Sequence, residues 1–168
     1  ASDSYFNTLT LTDITLPVKS KGVEVRGTVT SYGSDSENVT VQLIEAGHTE
    51  PAYEAIVSGS SAAYSFPIVP AGEYTLKVMK TNHVVRTYDI SVGSEAVTQD
   101  VKICLLGDIN ADGRLTLADY GKVLQHVKKV SLLTDYEFAC ADINKDGKLT
   151  LVDYGKILQH VKKVSLLW

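Results

Sequence analysis

Residues 108–134 and 142–168 are two copies of one sequence, DINADGRLTLADYGKVLQHVKKVSLLT and DINKDGKLTLVDYGKILQHVKKVSLLW, offset by 34 residues. Of the 27 aligned positions, 22 are identical, which excludes coincidence and makes the last third of the chain a tandem duplication. Whatever the unit folds into must be a short element formed twice. The remaining residues must supply a different fold.

Each copy opens with D-x-N-x-D-G, as Asp108, Asn110, Asp112, Gly113 and as Asp142, Asn144, Asp146, Gly147. A further aspartate, Asp119 or Asp153, stands at the twelfth position of each. This is the spacing of a calcium loop. Calcium is a hard cation that takes six to eight oxygens at ~2.3–2.6 Å, and side chains at loop positions 1, 3 and 5 of a tight coil converge on one point. Glycine at position 6 permits a sharp turn where a Cβ would clash. Position 7 offers a backbone carbonyl, from Arg114 and Lys148, and position 9, Thr116 and Thr150, acts through water. Asp119 and Asp153 close the shell from the first turn of the following helix. The expectation is two Ca2+ ions. Magnesium fits less well because it holds a tighter octahedron with retained waters. An Asp/Asn/Gly-rich stretch also makes ordinary surface turns, but two copies complete at six consensus positions favour the metal. The apolar eighth positions, Leu115 and Leu149, are expected to meet as a short strand contact between paired loops.

After each loop the spacing predicts one helix, over about 117–130 and 151–164. Tyr120, Val123, Val127 and Val130, with Tyr154, Ile157, Val161 and Val164, recur at 3–4 spacing and should face a core. No amphipathic helix precedes the first loop, so the first helix–loop–helix hand lacks its entering helix.

Upstream, residues 22–105 are rich in Val, Ile, Thr and Tyr and alternate with period 2 in Val23–Val29, Val39–Leu43, Tyr74–Val78 and Tyr88–Val92. Turn signals such as Ser58-Gly59-Ser60-Ser61 and Pro70-Ala71-Gly72 separate the runs. Short strands at this spacing predict an antiparallel Ig-like sandwich of about seven strands, with a first strand over 5–16 and a last one over 101–106. The expected division is an all-β domain over 1–104 and a small all-α unit over 105–168. No Pro- or Ser-rich linker separates them, so the two should touch. Charge divides the same way. Residues 1–107 carry 7 Lys/Arg against 12 Asp/Glu, and residues 108–168 carry 9 against 8.

The formal net charge of −4 argues against nucleic-acid binding. The apolar runs fall far short of the ~20 residues of a membrane span, and no leader peptide is expected in the sequence as it stands. Cys104 and Cys140 both lie just before a metal loop and are expected as buried thiols, with a disulfide as the alternative. His126 and His160 occupy matched positions with no metal spacing. No Ser/His/Asp constellation or phosphate-binding glycine loop is present, and no enzymatic activity is expected.

The unit G-D-x-N-x-D-G-x-L-T-x-x-D-Y followed by one helix, duplicated over roughly 105–168, resembles the dockerin module. Residues 22–105 resemble the Ig-like or carboxypeptidase-regulatory-like sandwich known as an X module, through Val25-Arg26-Gly27-Thr28-Val29 and the run from Tyr64-Ser65-Phe66 to Leu76. The resemblance implies a secreted, extracellular chain that docks its parent protein onto a cohesin of a cell-surface, cellulosome-like complex for polysaccharide degradation. It also implies that positions 10, 11, 17, 18 and 22 of each repeat touch the cohesin. These are Leu117, Ala118, Leu124, Gln125 and Lys129 in the first copy and Leu151, Val152, Leu158, Gln159 and Lys163 in the second. Six of the eight acids of this region are loop positions, so two Ca2+ ions would take it from +1 to +5 and leave a basic outer surface. Such a surface suits an acidic partner. Near-identical copies related by a two-fold axis would let one partner bind in two orientations. The alternative is a calcium sensor that opens a groove for helical targets. The missing entering helix and the single methionine count against it.

Overall fold

The computed structural model describes residues 22–33 and 35–168. The strand expected over 5–16 lies outside the described residues. The first part is a sandwich of two sheets whose strands follow the alternating runs. β1 (Val23–Thr30) pairs antiparallel with β4 (Ser61–Val69), and on its other side runs parallel to the short β7 (Val97–Thr98) and β8 (Val101–Lys102). The second sheet has the order β3-β2-β5-β6, all antiparallel, from β2 (Asn38–Glu45), β3 (Tyr53–Ser58), β5 (Gly72–Lys80) and β6 (Arg86–Val92). Inward and outward residues alternate along the strands, except where the β1–β4 register shifts between Phe66 and Val69. Val39, Val41 and Leu43 of β2 meet Tyr74, Leu76 and Val78 of β5, and facing them from the other sheet are Val25, Val29, Tyr64, Phe66 and Val69. β3 carries no run as regular as its neighbours and forms the sheet edge.

The motif glycine of β1 has a specific reason. β7 and β8 keep one register along β1, but Gln99 and Asp100 between them bow toward it. Gln99 N–H donates to Arg26 O at 2.8 Å, and the Asp100 carboxylate accepts from Thr28 N–H at 2.8 Å. A Cβ on Gly27 would lie 1.9 Å from Gln99 O, so only glycine lets this parallel edge close.

The second part is three helices, α1 (Leu117–Val127), α2 (Asp135–Ala141) and α3 (Leu151–Val161). Each opens on a threonine cap, Thr116, Thr134 or Thr150, that bonds reciprocally with the acid three residues on. α2 was not foreseen. It enters the second loop, so only the first hand lacks an entering helix. Among the described residues no helix is long and apolar enough to cross a membrane.

The expected ends and inner faces of the two long helices need correction. α1 and α3 stop three residues early. Lys129 and Lys163 adopt the left-handed conformation, with φ of 57° and 56°. Val130 N–H then reaches back to Gln125 O and Lys129 N–H to His126 O, both at 2.9 Å, and the second copy repeats this with Val164, Gln159, Lys163 and His160. This is a Schellman ending built on lysine in place of glycine. It turns Val130 and Val164 out to solvent and leaves Val127 exposed as well. The buried stripe narrows to Val123 and Ile157, fully enclosed, with Tyr120 and Tyr154 beside them.

The two parts share a packed junction. Tyr136 of α2 is wedged against the sandwich, where its hydroxyl donates to Val84 O and accepts from Cys104 N–H, each at 3.0 Å. The Arg86 guanidinium lies 4.3 Å above its ring. Cys104 and Cys140 are buried free thiols in this junction. Their mutual hydrogen bond, and then burial, push the Cys140 thiol up. At the C-terminus the Trp168 indole N–H donates to Leu106 O at 3.1 Å, as a clasp on the junction.

Candidate functional site

Both loops wind on their own polar side chains. In the first, Asp108 accepts from Asp112 N–H at 3.1 Å and Gly113 N–H at 2.8 Å. Asn110 Oδ1 accepts from Asp112 N–H and Asp112 Oδ1 from Arg114 N–H. Asp119 draws the two ends together. One oxygen takes Ile109 and Asn110 N–H, and the other takes Thr116 N–H and its hydroxyl. The second loop repeats every one of these bonds through Asp142, Asn144, Asp146, Lys148, Thr150 and Asp153. Ala111 and Lys145 take left-handed φ near 59° and 58°, and Gly113 and Gly147 follow at 84° and 76°. This coil is what converges positions 1, 3 and 5. The twelfth-position aspartate reaches the loop because the helix cap holds it there, so a longer glutamate is not needed.

The donor set tests well for a hard cation. Asp108, Asp119 and Asp153 are fully buried, and none of them forms an ion pair among the described residues. A buried carboxylate without a counter-charge is costly. Burial pushes the Asp108 carboxyl up, the Gly113 and Asp112 amides pull it back, and the charges of Asp119 and Asp112 push it up again. A divalent cation would relieve this repulsion. Among the described residues no three His, Cys, Asp or Glu side chains form an ion cage by themselves, since here the carboxylates are turned onto loop amides. A cation held here would need Asn110 or Asn144 and the carbonyl of Arg114 or Lys148 beside the carboxylates.

The residues expected to touch a partner fall on α1 and α3, except Lys129 and Lys163, which lie two residues past the helix ends in the left-handed turn. Leu117 is 63% exposed, Leu151 72% and Val152 51%. Ala118, Gln125, Lys129, Gln159 and Lys163 are exposed too, whereas Leu124 and Leu158 are half-buried. The two helices meet through matched positions. Tyr120 and Tyr154 stack edge-on at 5.9 Å between centroids, the contact expected of copies related by an approximate two-fold axis. No β-bridge joins Leu115 to Leu149. Both pack instead against the core under the helices.

Residues 20–105 match the family described as BOS complex subunit NOMO1-like, second beta sandwich domain, and residues 106–161 match the dockerin type I domain. The chain belongs to the NOMO1-like sandwich family and carries a type I dockerin. Among curated proteins nothing matches it. Two similar solved structures are mutants of a type II cohesin–X–dockerin complex from Acetivibrio cellulolyticus, altered at an N-terminal and a C-terminal interface. They are 21% and 18% identical, each with 83% of this chain and 95% of the other covered and a TM-score of 0.39. A 5-hydroxyisourate hydrolase from Klebsiella pneumoniae is 18% identical over 48% of this chain and 88% of its own, with a TM-score of 0.36.

Type I dockerins are calcium-binding, non-catalytic docking modules. In this dockerin the matched histidines are structural. His126 Nδ1 accepts from Leu133 N–H and His160 Nδ1 from Leu167 N–H, both at 3.0 Å, so each ring fastens the chain that turns back after its helix. One lysine of the outer face is engaged. Lys122 pairs with Glu137 of α2 at 2.6 Å and holds that carboxyl below its usual range, whereas its twin Lys156 makes no ion pair among the described residues.

Proposed function

We propose that this chain is a calcium-dependent docking module that fastens its parent protein to a cohesin of a secreted, cellulosome-like assembly. The observation that carries the reading is the duplicated, self-wound loop followed by a helix whose outer face is both apolar and cationic. Asp108, Asn110, Asp112, Arg114 through its carbonyl, Thr116 and Asp119 hold one Ca2+. Asp142, Asn144, Asp146, Lys148 through its carbonyl, Thr150 and Asp153 hold the second. Leu117, Ala118, Leu124, Gln125 and Lys129, with Leu151, Val152, Leu158, Gln159 and Lys163, form the docking face, Leu124 and Leu158 being its half-buried members. Exposed apolar patches of this kind mark interfaces, and the lysines suit an acidic partner. The matched Tyr120–Tyr154 contact supports two docking orientations that exchange the roles of α1 and α3. The domain boundary lies at residues 104–105, the location is extracellular, and the chain as a whole has no catalytic role.

Titration calorimetry of the full chain against type I and type II cohesins, with calcium and again with EDTA, tests this. Binding is expected only with calcium. Calcium uptake without affinity for either cohesin, but with affinity for an amphipathic helical peptide, would establish the sensor reading instead.

A further inference from the structure

The two loops share almost every residue and every internal hydrogen bond, yet their surroundings differ. Tyr32 leaves the end of β1 and lies across the first loop only. Its hydroxyl donates to Ala111 O at 2.7 Å, and a Cβ on Gly113 would stand 2.3 Å from its ring, so the ring covers the position-6 glycine. Tyr32 is itself held at every polar atom. Its N–H donates to His83 Nε2 at 3.1 Å, its carbonyl accepts from Lys80 Nζ at 2.9 Å, and Lys102 Nζ sits 5.6 Å from the ring centre. Among the described residues the second loop has no such cover. Nothing lies within 4 Å of a Cβ built on Gly147, and Lys145 and Gly147 border an open cleft of about 540 Å³ shared with Asn82, His83 and Ala139.

We propose that the sandwich, through Tyr32, clamps the first metal loop in its wound form, so that the two calcium sites are unequal and only the first is coupled to the sandwich. This rests on the calcium reading above, though not on the choice of partner. The sandwich takes the place of the entering helix that the first hand lacks, as α2 serves the second. Pre-organisation lowers the ordering cost of binding, so the first loop fills at lower calcium than the second. The coupling is reciprocal, so calcium in the first loop steadies the sandwich in return.

The Gly113 and Gly147 amides, which donate to Asp108 and Asp142, report each loop separately in a two-dimensional NMR titration of the full chain with chelator-buffered calcium. Gly113 is expected to shift first. Tyr32→Ala is expected to raise the Gly113 midpoint about three- to tenfold, the range set by one lost hydrogen bond together with ring cover, and to leave the Gly147 midpoint in place. Tyr32→Phe keeps the ring and removes only the Ala111 bond, so it should give a smaller shift of the same kind. It also serves if the alanine variant loses the sandwich, which the β2 and β5 amides would reveal. Equal midpoints in the native chain, or a Tyr32→Phe effect of the same size on both glycines, would overturn the clamp and leave the calcium reading intact. No calcium response at either glycine would overturn both.

Discussion

At the scale of single residues, Asp119 and Asp153 carry the most. Each carboxylate satisfies four donors, drawing the loop's start and the helix's first turn onto one side chain. Asparagine has one acceptor oxygen where the carboxylate has two. Asp119→Asn is therefore expected to lower unfolding stability in EDTA by about 1–3 kcal/mol through orphaned donors. Urea denaturation without metal separates this loss from any effect on calcium. His83 is a second such residue. Its Nδ1 lies 2.7 Å from Thr81 O while Nε2 accepts from Tyr32, so the ring is held neutral, and burial pushes its pKa below the ordinary 6.5. A group with a depressed folded pKa that is neutral when deprotonated stabilises the fold above its unfolded value. That stability is lost as pH falls from about 6.5 toward the folded value. Stability is expected to drop between pH 7 and pH 5, and to drop less in His83→Gln. Burial lowers His160 as well, so the difference between the two proteins isolates His83.

At the scale of elements, the ends of α1 and α3 show where sequence periodicity misleads. Val127, Val130 and Val164 continue the 3–4 spacing of Val123 and Ile157, but a left-handed lysine ends each helix before the stripe is complete. A Schellman ending is commonly signalled by glycine, and Lys129 and Lys163 gave no such signal. Left-handed lysine costs about 1–2 kcal/mol, partly offset by the greater unfolded-state entropy of glycine. Lys129→Gly together with Lys163→Gly is expected to raise the melting temperature by a few degrees in calorimetry. The same variant should weaken cohesin binding, since two exposed ammonium groups leave the docking face. α2 was legible after the fact. Thr134 and Glu137 form a capping box before an apolar run, but seven residues are too few to show a helical period in the sequence. The strands of the sandwich that alternate most cleanly, β1, β2, β5 and β6, were readable directly, because one face of each is core and the other solvent. β3 was not, because Ala55, Ile56 and Val57 are apolar on both faces, with Ile56 turned to solvent.

At the scale of the whole molecule, two units meet over Tyr32 and Tyr136. Without metal, each dockerin loop holds three carboxylates in a short coil. EDTA is expected to lower the dockerin's transition in scanning calorimetry well below that of the sandwich, while excess calcium brings the two together, because binding energy becomes folding energy. The docking face can be tested by copy. Leu117→Asp with Ala118→Asp, or Leu151→Asp with Val152→Asp, should leave cohesin affinity within a fewfold of the original if both orientations are open. All four together should abolish it. A large loss from one copy alone would show that a single orientation is used.

Sequence alone determined the twelve-residue loops, the duplicated helices and the alternating strands, because each depends on contacts within a few residues and on fixed spacing. Tertiary structure decided the rest. It placed Gln99 against Gly27 and Tyr136 against Cys104. It also laid Tyr32 on Gly113 while leaving Gly147 open. Two copies identical at 22 of 27 positions carry nearly the same local code. The difference in their surroundings must therefore come from what packs beside them, through contacts between residues some eighty positions apart.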